Sequence, residues 1–212
     1  MKLALSRVHY PVRSLGPGTR VAIWFQGCSI HCRGCISLDT WAPDRGVTTV
    51  EDVFNLIRHW LDRADGVTIS GGEPFDQVGA LRELLVKIRR AHKGDVLVYS
   101  GYSFESLLEK LKAFEGLIDT LIADPFQVDT AQSLPLRGSD NQRLVTFTPL
   151  GKERFRLFDR AVNPSDRHLD VMFDDVTGEV WLAGIPSRGD FSRLTALLSA
   201  RGHHVMTTED KR

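Results

Sequence analysis

Cysteine is scarce in this chain of 212 residues, and it is absent outside one short segment. The three cysteines are Cys28, Cys32 and Cys35. An odd number of thiols crowded into one segment makes a poor disulfide framework, and a reducing compartment would not sustain disulfides in any case. Clustered cysteines of this kind are typical of a metal site. The sequence therefore predicts that these three thiols bind metal.

An excess of either charge is also lacking, because 27 Lys and Arg residues balance 27 Asp and Glu residues. This balance gives no electrostatic indication of binding to nucleic acid or to anionic lipid. No segment approaches the roughly 18 consecutive apolar residues of a membrane span. Charge and proline come too early in the first residues for the apolar region of a signal peptide. We therefore expect a cytoplasmic protein that binds neither nucleic acid nor membranes.

Apolar residues make up 42% of the chain, which is enough to bury a core. Short β-branched and apolar runs alternate with helical patterns, and this alternation predicts parallel βαβ units in an α/β fold. Right-handed crossovers would wind such units into a full or partial barrel, or into a doubly wound sheet. The predicted strands are residues 21–25, 67–70, 96–99, 117–123 and 143–147, and the predicted helices are residues 50–61 (capped by Thr49), 77–91 and 104–111.

The pattern changes near residue 150. Residues 169–173 and 179–183 flank a turn sequence and predict an antiparallel hairpin. A helix capped by Asp190, running through Ala200 and ending at Gly202, then a strand over residues 203–206, would follow. We therefore expect two domains: residues 1–150 hold the metal site, and residues 151–212 form a small α+β C-terminal extension.

Four loops with unusual sequences follow four successive predicted strands. GCSIHCRGC follows the first, GGEP the second, SGY the third and DPF the fourth. In α/β barrels the ligand lies at the carboxyl ends of the strands, where these loops meet. Four such loops at equivalent places predict one shared site.

The spacing C-x3-C-x2-C places three thiolates on one tight loop. A cubane 4Fe–4S cluster has four irons, so three thiolates leave one iron with an open position. The alternative is a structural zinc site in which His31 is the fourth ligand. His31 adjoins Cys32, however, and adjacent residues seldom converge on one tetrahedral ion. The loop favours an iron–sulfur cluster and leaves zinc as the alternative.

The GGEP loop combines two glycines with a carboxylate. Gly71 and Gly72 allow the backbone to approach a ligand closely, and Glu73 is suited to bind an amino group. The alternative is a loop that only begins a helix, with Pro74 in the first turn. Its position one βα unit beyond the cysteines favours the first interpretation.

Further motifs surround these loops. They are GPGTR at residues 16–20, DTW at residues 39–41, SGYSFESL from Ser100 and RGSDNQR at residues 137–143. With the cysteine spacing and GGEP, they make the chain resemble the radical SAM superfamily. Over about residues 10–148 it is similar to the activating enzymes of anaerobic ribonucleotide reductase and to other glycyl-radical-enzyme activases. This resemblance implies a partial (β/α) barrel of the radical SAM type.

The resemblance also implies two cofactors, a 4Fe–4S cluster and S-adenosylmethionine (SAM). The three cysteines would ligate the cluster, and the amine and carboxylate of SAM would chelate the open iron. The residues expected to contact SAM are Gly34 and Ile36 at the adenine, Gly71, Gly72 and Glu73 at the amine, and Ser100, Gly101 and Asn141 at the ribose or carboxylate.

In the reaction that the resemblance implies, no protein acid or base takes part, so no catalytic side chain is predicted. The reduced cluster gives one electron to the sulfonium, which yields methionine and a 5′-deoxyadenosyl radical. That radical would take a hydrogen atom from a glycine of a glycyl radical enzyme such as anaerobic ribonucleotide reductase. The electron donor would be of the flavodoxin or ferredoxin type. Two alternatives stay open: radical SAM modification of another peptide, RNA or small metabolite, and a non-catalytic zinc-binding module.

Overall fold

The computed structural model describes residues 1–173 and 179–203. The strands in this part are β1 (Lys2–Val12), β2 (Arg20–Phe25), β3 (Val47–Thr49), β4 (Gly66–Gly71), β5 (Asp95–Tyr99), β6 (Thr120–Ala123), β7 (Arg143–Thr146), β8 (Leu169–Phe173) and β9 (Val180–Gly184). The helices are α1 (Val50–Leu61), α2 (Val78–Ala91), α3 (Phe104–Leu111), α4 (Pro149–Phe155) and α5 (Asp190–Ala200). None of these helices is long and apolar enough to cross a membrane.

The central sheet contains seven of these strands in the order β3-β1-β2-β4-β5-β6-β7. Strands β2, β4, β5 and β6 run parallel to one another. Strand β1 is antiparallel to both β2 and β3, and β7 is antiparallel to β6. The predicted α/β fold with parallel units is confirmed. In the part of the chain that the structure describes, the sheet stays open, with β3 and β7 at its edges.

Helices α1 and α2 cover one face of this sheet. Their apolar residues recur at helical spacing, so each helix presents one apolar stripe to the strands. Thr49 caps α1 as predicted, because its Oγ1 accepts the backbone N–H of Asp52 at 3.1 Å. The buried residues of this core include Val21, Ile23, Phe25, Val67, Ile69, Val96, Val98 and Leu121 from the strands, and Val53, Ile57, Leu81, Leu84 and Ile88 from the helices.

The opposite face carries a buried ion pair at the amino ends of the parallel strands. The side chains of Arg20 and Asp95 are both 0% exposed, with Nη2 and Oδ1 2.6 Å apart. Arg20 Nε also donates to Thr68 Oγ1 at 2.6 Å. Helix α4 covers the neighbouring part of this face, where Phe155 is buried against β5 and β6. These side chains fill one end of the face, while the loops predicted to form the site lie at the other end.

Strand β1 and helix α4 were not predicted from the sequence. Strand β1 mixes Lys, Arg, His and Pro with its apolar residues, so it lacks the regular alternation that identifies a strand. Helix α4 is short and contains Gly151, a poor helix former. Close packing explains this glycine, because a Cβ there would lie 2.4 Å from the carbonyl oxygen of Asp119.

The hairpin predicted in the tail is confirmed as β8 and β9. Its inner residues pack on the second face of the sheet, in a cluster of Val12, Leu15, Ala22, Trp24, Met172 and Ala183. Asp170 fixes the hairpin by accepting the backbone N–H groups of Arg13 at 2.7 Å and Ser14 at 2.8 Å.

The last predicted elements agree only in part with the structure. The prediction that Asp190 caps α5 was wrong, because Gly189 holds the cap position with φ +82° and Asp190 is the first helical residue. Glycine adopts this left-handed conformation without steric cost, which suits it to the cap. In the predicted strand over residues 203–206, residues 204–206 lie outside the described part of the chain.

Candidate cluster and SAM site

The segment over residues 26–41, here called the cysteine loop, follows β2 and is closed by its own backbone. The N–H of Gly27 donates to the carbonyl oxygen of Thr40 at 2.7 Å. The N–H of Glu73 donates to the carbonyl oxygen of Gly27 at 2.8 Å, which joins the cysteine loop to the GGEP loop after β4. The parallel pairing of β2 with β4 brings the two loops together at the carboxyl ends of these strands.

One cavity lies between the loops, and the three cysteines line it together. The end of β4 and the loops after β4 and β5 contribute the remaining lining residues that were predicted: Gly71, Gly72, Glu73, Ser100 and Gly101. The expectation of one shared site at the strand ends therefore agrees with the geometry. Gly34, Ile36 and Asn141 are not among the lining residues, and their contact with SAM stays a prediction.

The cysteines are free, partly buried thiols. Burial raises the pKa of each thiol, and nearby N–H groups oppose this in part. One of them is the N–H of Ser37, which lies 3.4 Å from Cys35 Sγ. Within residues 1–173 and 179–203, no group of three or more His, Cys, Asp or Glu side chains is placed to hold a metal ion. In a cubane each thiolate binds a different iron, so thiols that line one cavity fit such a cluster without converging on one point.

Close backbone packing at the cavity requires glycine at position 72. A Cβ on Gly72 would lie 2.0 Å from the carbonyl oxygen of Gly27. Within the cysteine loop, Gly34 has φ +77°, and a Cβ there would lie 3.1 Å from the side chain of Val128 in the loop after β6. The GGEP loop can therefore approach the cysteine loop this closely only because position 72 lacks a side chain.

Glu73 is the acidic side chain of the cavity, and it is 1% exposed. Its Oε1 accepts the N–H of Phe75 and the hydroxyl of Ser100, both at 2.9 Å. Its Oε2 accepts the N–H of Gly101 at 2.8 Å. Burial raises the pKa of Glu73 to about 7, although these hydrogen bonds favour the ionised form. Glu73 thus begins the turn after β4, as the structural alternative expected, and also joins this loop to the one after β5.

Asn141 and its neighbour Gln142 differ in whether they line the cavity. Asn141 Nδ2 donates to the carbonyl oxygen of Pro125 at 2.8 Å, and its Oδ1 is buried without a hydrogen-bond partner. Gln142 lines the cavity instead. Its Oε1 accepts the N–H of Gly138 at 2.8 Å. Both residues belong to the motif RGSDNQR, so the motif indicates the right segment but does not identify which amide faces the cavity.

Three aromatic residues to which the sequence analysis assigned no ligand contact also line the cavity: Trp41, Tyr99 and Phe126. Tyr99 is the last residue of β5, and its hydroxyl donates to the carbonyl oxygen of Leu136 at 3.1 Å. Its place at a strand end next to SGY is a signal that was available in the sequence. Phe126 belongs to the DPF segment after β6, which the sequence assigned to the shared site without identifying its ring as a lining residue.

A second set of contacts holds the cysteine loop from outside the cavity. The N–H of Ser29, next to Cys28, donates to Asp76 Oδ2 at 2.8 Å. The hydroxyl of Tyr102 donates to Asp76 Oδ1 at 2.7 Å and lies 3.0 Å from Ser29 Oγ. These three residues come from the loops after β2, β4 and β5. They therefore connect the three loops that carry the candidate site.

Comparison with known families decides the classification of the chain. A model of the 4Fe-4S single cluster domain matches residues 14–145, which include the cysteine loop, GGEP and SGY. The chain belongs to the 4Fe-4S single cluster domain family. The domain begins just before β2 and extends almost to the end of β7. Helix α4, the hairpin and α5 follow the matched part.

Relatives of this 4Fe-4S single cluster domain protein are activating enzymes. An anaerobic ribonucleoside-triphosphate reductase-activating protein of Haemophilus influenzae is 30% identical over 66% of this chain and 96% of the relative. Its counterpart in Escherichia coli is 32% identical over 63% of this chain and 93% of the relative. A pyruvate formate-lyase-activating enzyme of Listeria monocytogenes is 31% identical over 69% of this chain and 64% of the relative. The predicted resemblance to radical SAM activating enzymes is confirmed.

Proposed function

We propose that this protein is a radical SAM enzyme that installs a glycyl radical on a partner enzyme. The observation that carries the proposal is the single cavity shared by three free cysteines, the GGEP loop and the SGY loop. The names of the relatives support the class of reaction, because each is an activating protein or enzyme. In this proposal the open sheet serves as the partial barrel of the radical SAM type.

The residues around the cavity fit the two cofactors. Cys28, Cys32 and Cys35 would ligate a 4Fe–4S cluster and leave one iron open for the amine and carboxylate of SAM. When bound, the cluster and SAM supply the electron transfer that releases methionine and a 5′-deoxyadenosyl radical. The protein's part is to bind and orient these groups and to exclude water. No acidic or basic side chain of the chain transfers a proton in this proposal.

Glu73 would accept an N–H of the SAM amino group. Its carboxylate lines the cavity and is oriented by Ser100 and Gly101, so it needs little rearrangement to receive a ligand. Gly71 and Gly72 would bring backbone groups close to the same amine. The ribose or carboxylate of SAM would contact Ser100, Gly101 and Asn141, and its adenine would contact the backbone at Gly34 and Ile36.

The partner in this proposal is a glycyl radical enzyme, and anaerobic ribonucleotide reductase is the first candidate. The relatives from Haemophilus influenzae and Escherichia coli, which are named for that reductase, match this chain over more than nine-tenths of their own length. Pyruvate formate-lyase is the partner named for the Listeria relative. The electron donor would be a protein of the flavodoxin or ferredoxin type.

Anaerobic reconstitution followed by a SAM-cleavage assay tests this function. We expect about four irons and four sulfides per chain, together with formation of 5′-deoxyadenosine and methionine after reduction. Cys28→Ala, Cys32→Ala and Cys35→Ala should each abolish cleavage, because each leaves the cluster with two protein ligands. One firmly bound zinc and no capacity for iron would refute the proposal.

His31→Asn separates the cluster from the zinc alternative. His31 has φ +52°, a conformation that asparagine also tolerates. A three-cysteine cluster predicts that the variant keeps its full iron content, whereas a Cys3His zinc site predicts that metal binding is lost. Mixing the reduced wild-type enzyme with SAM and the candidate reductase should then give a glycyl radical signal by electron paramagnetic resonance (EPR).

A further inference from the structure

The loop after β6, residues 124–142, supplies Phe126 and Gln142 to the cavity wall. Strand β6 lies three places from β2 in the sheet, with β4 and β5 between them. The loop after β6 nevertheless reaches back to the cysteine loop, since a Cβ on Gly34 would lie 3.1 Å from Val128 and 3.6 Å from Phe126. It thus closes a ring of four loops around the cavity, although the sheet beneath is open.

An exposed ion pair also joins this loop to the cysteine loop, but it holds the loop only weakly. The side chains of Arg33 and Asp129 are 76% and 83% exposed. Water and salt screen such pairs, so they contribute little to stability. The loop also contains Leu136 with φ +62°, a strained conformation that persists only where surrounding structure enforces it. Its conformation therefore depends on contacts from other parts of the chain.

The C-terminal extension supplies such contacts. Arg167 Nη2 donates to the carbonyl oxygen of Gln132 at 2.7 Å, and Arg167 Nη1 donates to Gln132 Oε1 at 3.1 Å. Gln132 Nε2 in turn donates to the carbonyl oxygen of Pro186 at 2.9 Å. The N–H of Val162 donates to the carbonyl oxygen of Ser133 at 2.7 Å. Residues before and after the hairpin therefore hold one short stretch of the loop after β6.

Asp140 connects this stretch to the cavity side of the same loop. Its Oδ1 accepts the N–H of Ser133 at 2.7 Å, and its Oδ2 accepts the hydroxyl of Ser133 at 2.6 Å. The N–H of Asp140 donates to the carbonyl oxygen of Ala131 at 2.8 Å. Gln142, which lines the cavity, is two residues further along the chain. A displacement of the stretch at Gln132 would therefore move part of the cavity wall.

The position of this wall matters for the fate of the 5′-deoxyadenosyl radical. In productive turnover the radical takes a hydrogen atom from the glycine Cα, which yields 5′-deoxyadenosine and a glycyl radical in equal amounts. If the radical meets a thiol instead, the S–H bond breaks, and 5′-deoxyadenosine forms with a thiyl radical. Fixed orientation favours the first reaction, and a closed site prevents the second.

We propose that Arg167 is a positioning residue that holds the loop after β6 through Gln132 and so keeps the cavity closed during hydrogen transfer from the partner. This inference rests on the function proposed above. Arg167 does not itself line the cavity. It would therefore raise the yield of glycyl radical per SAM cleaved rather than the rate of SAM cleavage.

Hydrogen exchange of the full-length apoprotein, followed by mass spectrometry, tests whether Arg167 holds the loop. Arg167→Met keeps the apolar stem but removes both donors to Gln132. One hydrogen bond shifts a local opening equilibrium roughly twofold to tenfold, so amides of residues 130–140 should exchange about tenfold faster. Arg193→Met is the matched control, because Arg193 is 72% exposed and pairs with Asp190 in α5. It should exchange like the wild type.

The yield of glycyl radical tests the consequence for the reaction. Reduced, cluster-loaded wild type and Arg193→Met, mixed with SAM and the candidate reductase, should form equal amounts of 5′-deoxyadenosine and glycyl radical. Arg167→Met should keep its iron content and form a severalfold excess of 5′-deoxyadenosine. Gln132→Met also loses the bond to Pro186 and should show the same changes, including when Arg167→Met does not fold.

Unchanged exchange or an unchanged ratio in a folded Arg167→Met or Gln132→Met variant overturns the inference. The same changes in Arg193→Met overturn it too, and so does failure of both test variants to fold, which would make the contact a requirement of the fold. Wild-type enzyme that cleaves no SAM or forms no glycyl radical overturns the proposed function as well, which distinguishes the two failures.

Discussion

A single side chain, Glu73, connects the loops after β4 and β5 and also lines the cavity. Its three hydrogen bonds come from Phe75, Ser100 and Gly101, so both carboxylate oxygens are engaged. A carboxylate has about four lone-pair sites, which leaves acceptor capacity for a ligand. The structural and the ligand-binding roles of Glu73 are therefore compatible, and affinity measurements can separate them.

The first prediction concerns SAM affinity and pH. Burial raises the pKa of Glu73 to about 7, so the ionised form that accepts an N–H predominates above this pH and is lost below it. SAM affinity of the cluster-loaded wild type should therefore fall as the pH decreases from about 8 to 6. Glu73→Gln should bind SAM about tenfold to a hundredfold more weakly at pH 8 and show a flatter profile, because a charge-assisted hydrogen bond contributes ~1.5–3 kcal/mol.

Equilibrium binding at several pH values checks this prediction, with iron content measured in parallel. Equal affinity of the wild type and Glu73→Gln at pH 8 would assign Glu73 to the turn and the loop connection alone.

A second residue-scale prediction concerns Tyr102, whose hydroxyl connects Asp76 and Ser29 outside the cavity. Tyr102→Phe removes these contacts and should let the cysteine loop open more often. We expect cluster assembly to be normal and iron release to a chelator to be about twofold to tenfold faster, because one hydrogen bond contributes ~0.5–1.5 kcal/mol. Tyr10→Phe is the control, since its hydroxyl donates to the carbonyl oxygen of Arg63 elsewhere. Equal release rates in both variants would contradict the prediction.

At the scale of elements, the sequence predicts those helices and strands whose bounds depend on the local pattern of residues. Helix α3 has the predicted bounds, and α1 has both its bounds and its Thr49 cap, because apolar spacing and a capping residue coincide. Strand β1 was missed because its pairing with β2 holds it in the sheet, and pairing partners are not visible in one sequence. Burial of Gly151 against Asp119 is equally non-local.

The candidate site likewise has residues that the sequence predicts and residues that only the fold reveals. Cysteine spacing and the GGEP and SGY motifs identify the residues that lie next to one another in sequence. Trp41 and Phe126 enter the cavity wall through the folding of loops, and the choice between Asn141 and Gln142 depends on which amide the loop turns inward. These features require three-dimensional information.

The third prediction concerns the ion pair that joins β2 to β5. Arg20→Met leaves the carboxylate of Asp95 fully buried, with only partly exposed Arg154 3.2 Å away. Removing one partner of a buried pair destabilises a protein by ~3–5 kcal/mol. Urea denaturation of the apoprotein should show a decrease of this size in the free energy of unfolding. Glu109→Gln breaks the exposed pair with Lys112 and should change the free energy of unfolding by no more than ~0.5 kcal/mol. Similar losses in both variants would contradict the prediction.

At the scale of the whole molecule, we propose that the part after about residue 150 serves the partner rather than the cleavage of SAM. The hairpin covers Ala22 and Trp24 on the second face of the sheet, away from the core beneath α1 and α2. Its exit segment contacts the loop after β6, since Gln132 Nε2 donates to the carbonyl oxygen of Pro186 at 2.9 Å. That loop supplies Phe126 to the cavity wall.

The fourth prediction compares two truncations of this extension. Deleting residues 167–212 keeps α4 and exposes Trp24, so the protein should fold, assemble its cluster and cleave SAM without a partner, while its solubility and glycyl radical yield decrease. Deleting residues 152–212 also removes Phe155, which is buried on the sheet, and a lost core Phe destabilises by ~3–5 kcal/mol. Both truncated proteins are checked by measuring their solubility, their iron content, the 5′-deoxyadenosine formed and the EPR signal of the partner. A full radical yield from the shorter deletion would contradict the partner role.

The anchor between Asp170 and Ser14 also has a consequence for synthesis of the chain. The two residues are 156 positions apart. At translation rates of about 5–20 residues per second, the ribosome needs roughly 8–30 s to pass from one to the other. Strand β2 can pair with β4 within that interval, but the surface at Trp24 has no hairpin to cover it. The nascent chain therefore exposes an apolar patch for many seconds, which is long enough for a ribosome-associated chaperone to bind there before the hairpin does.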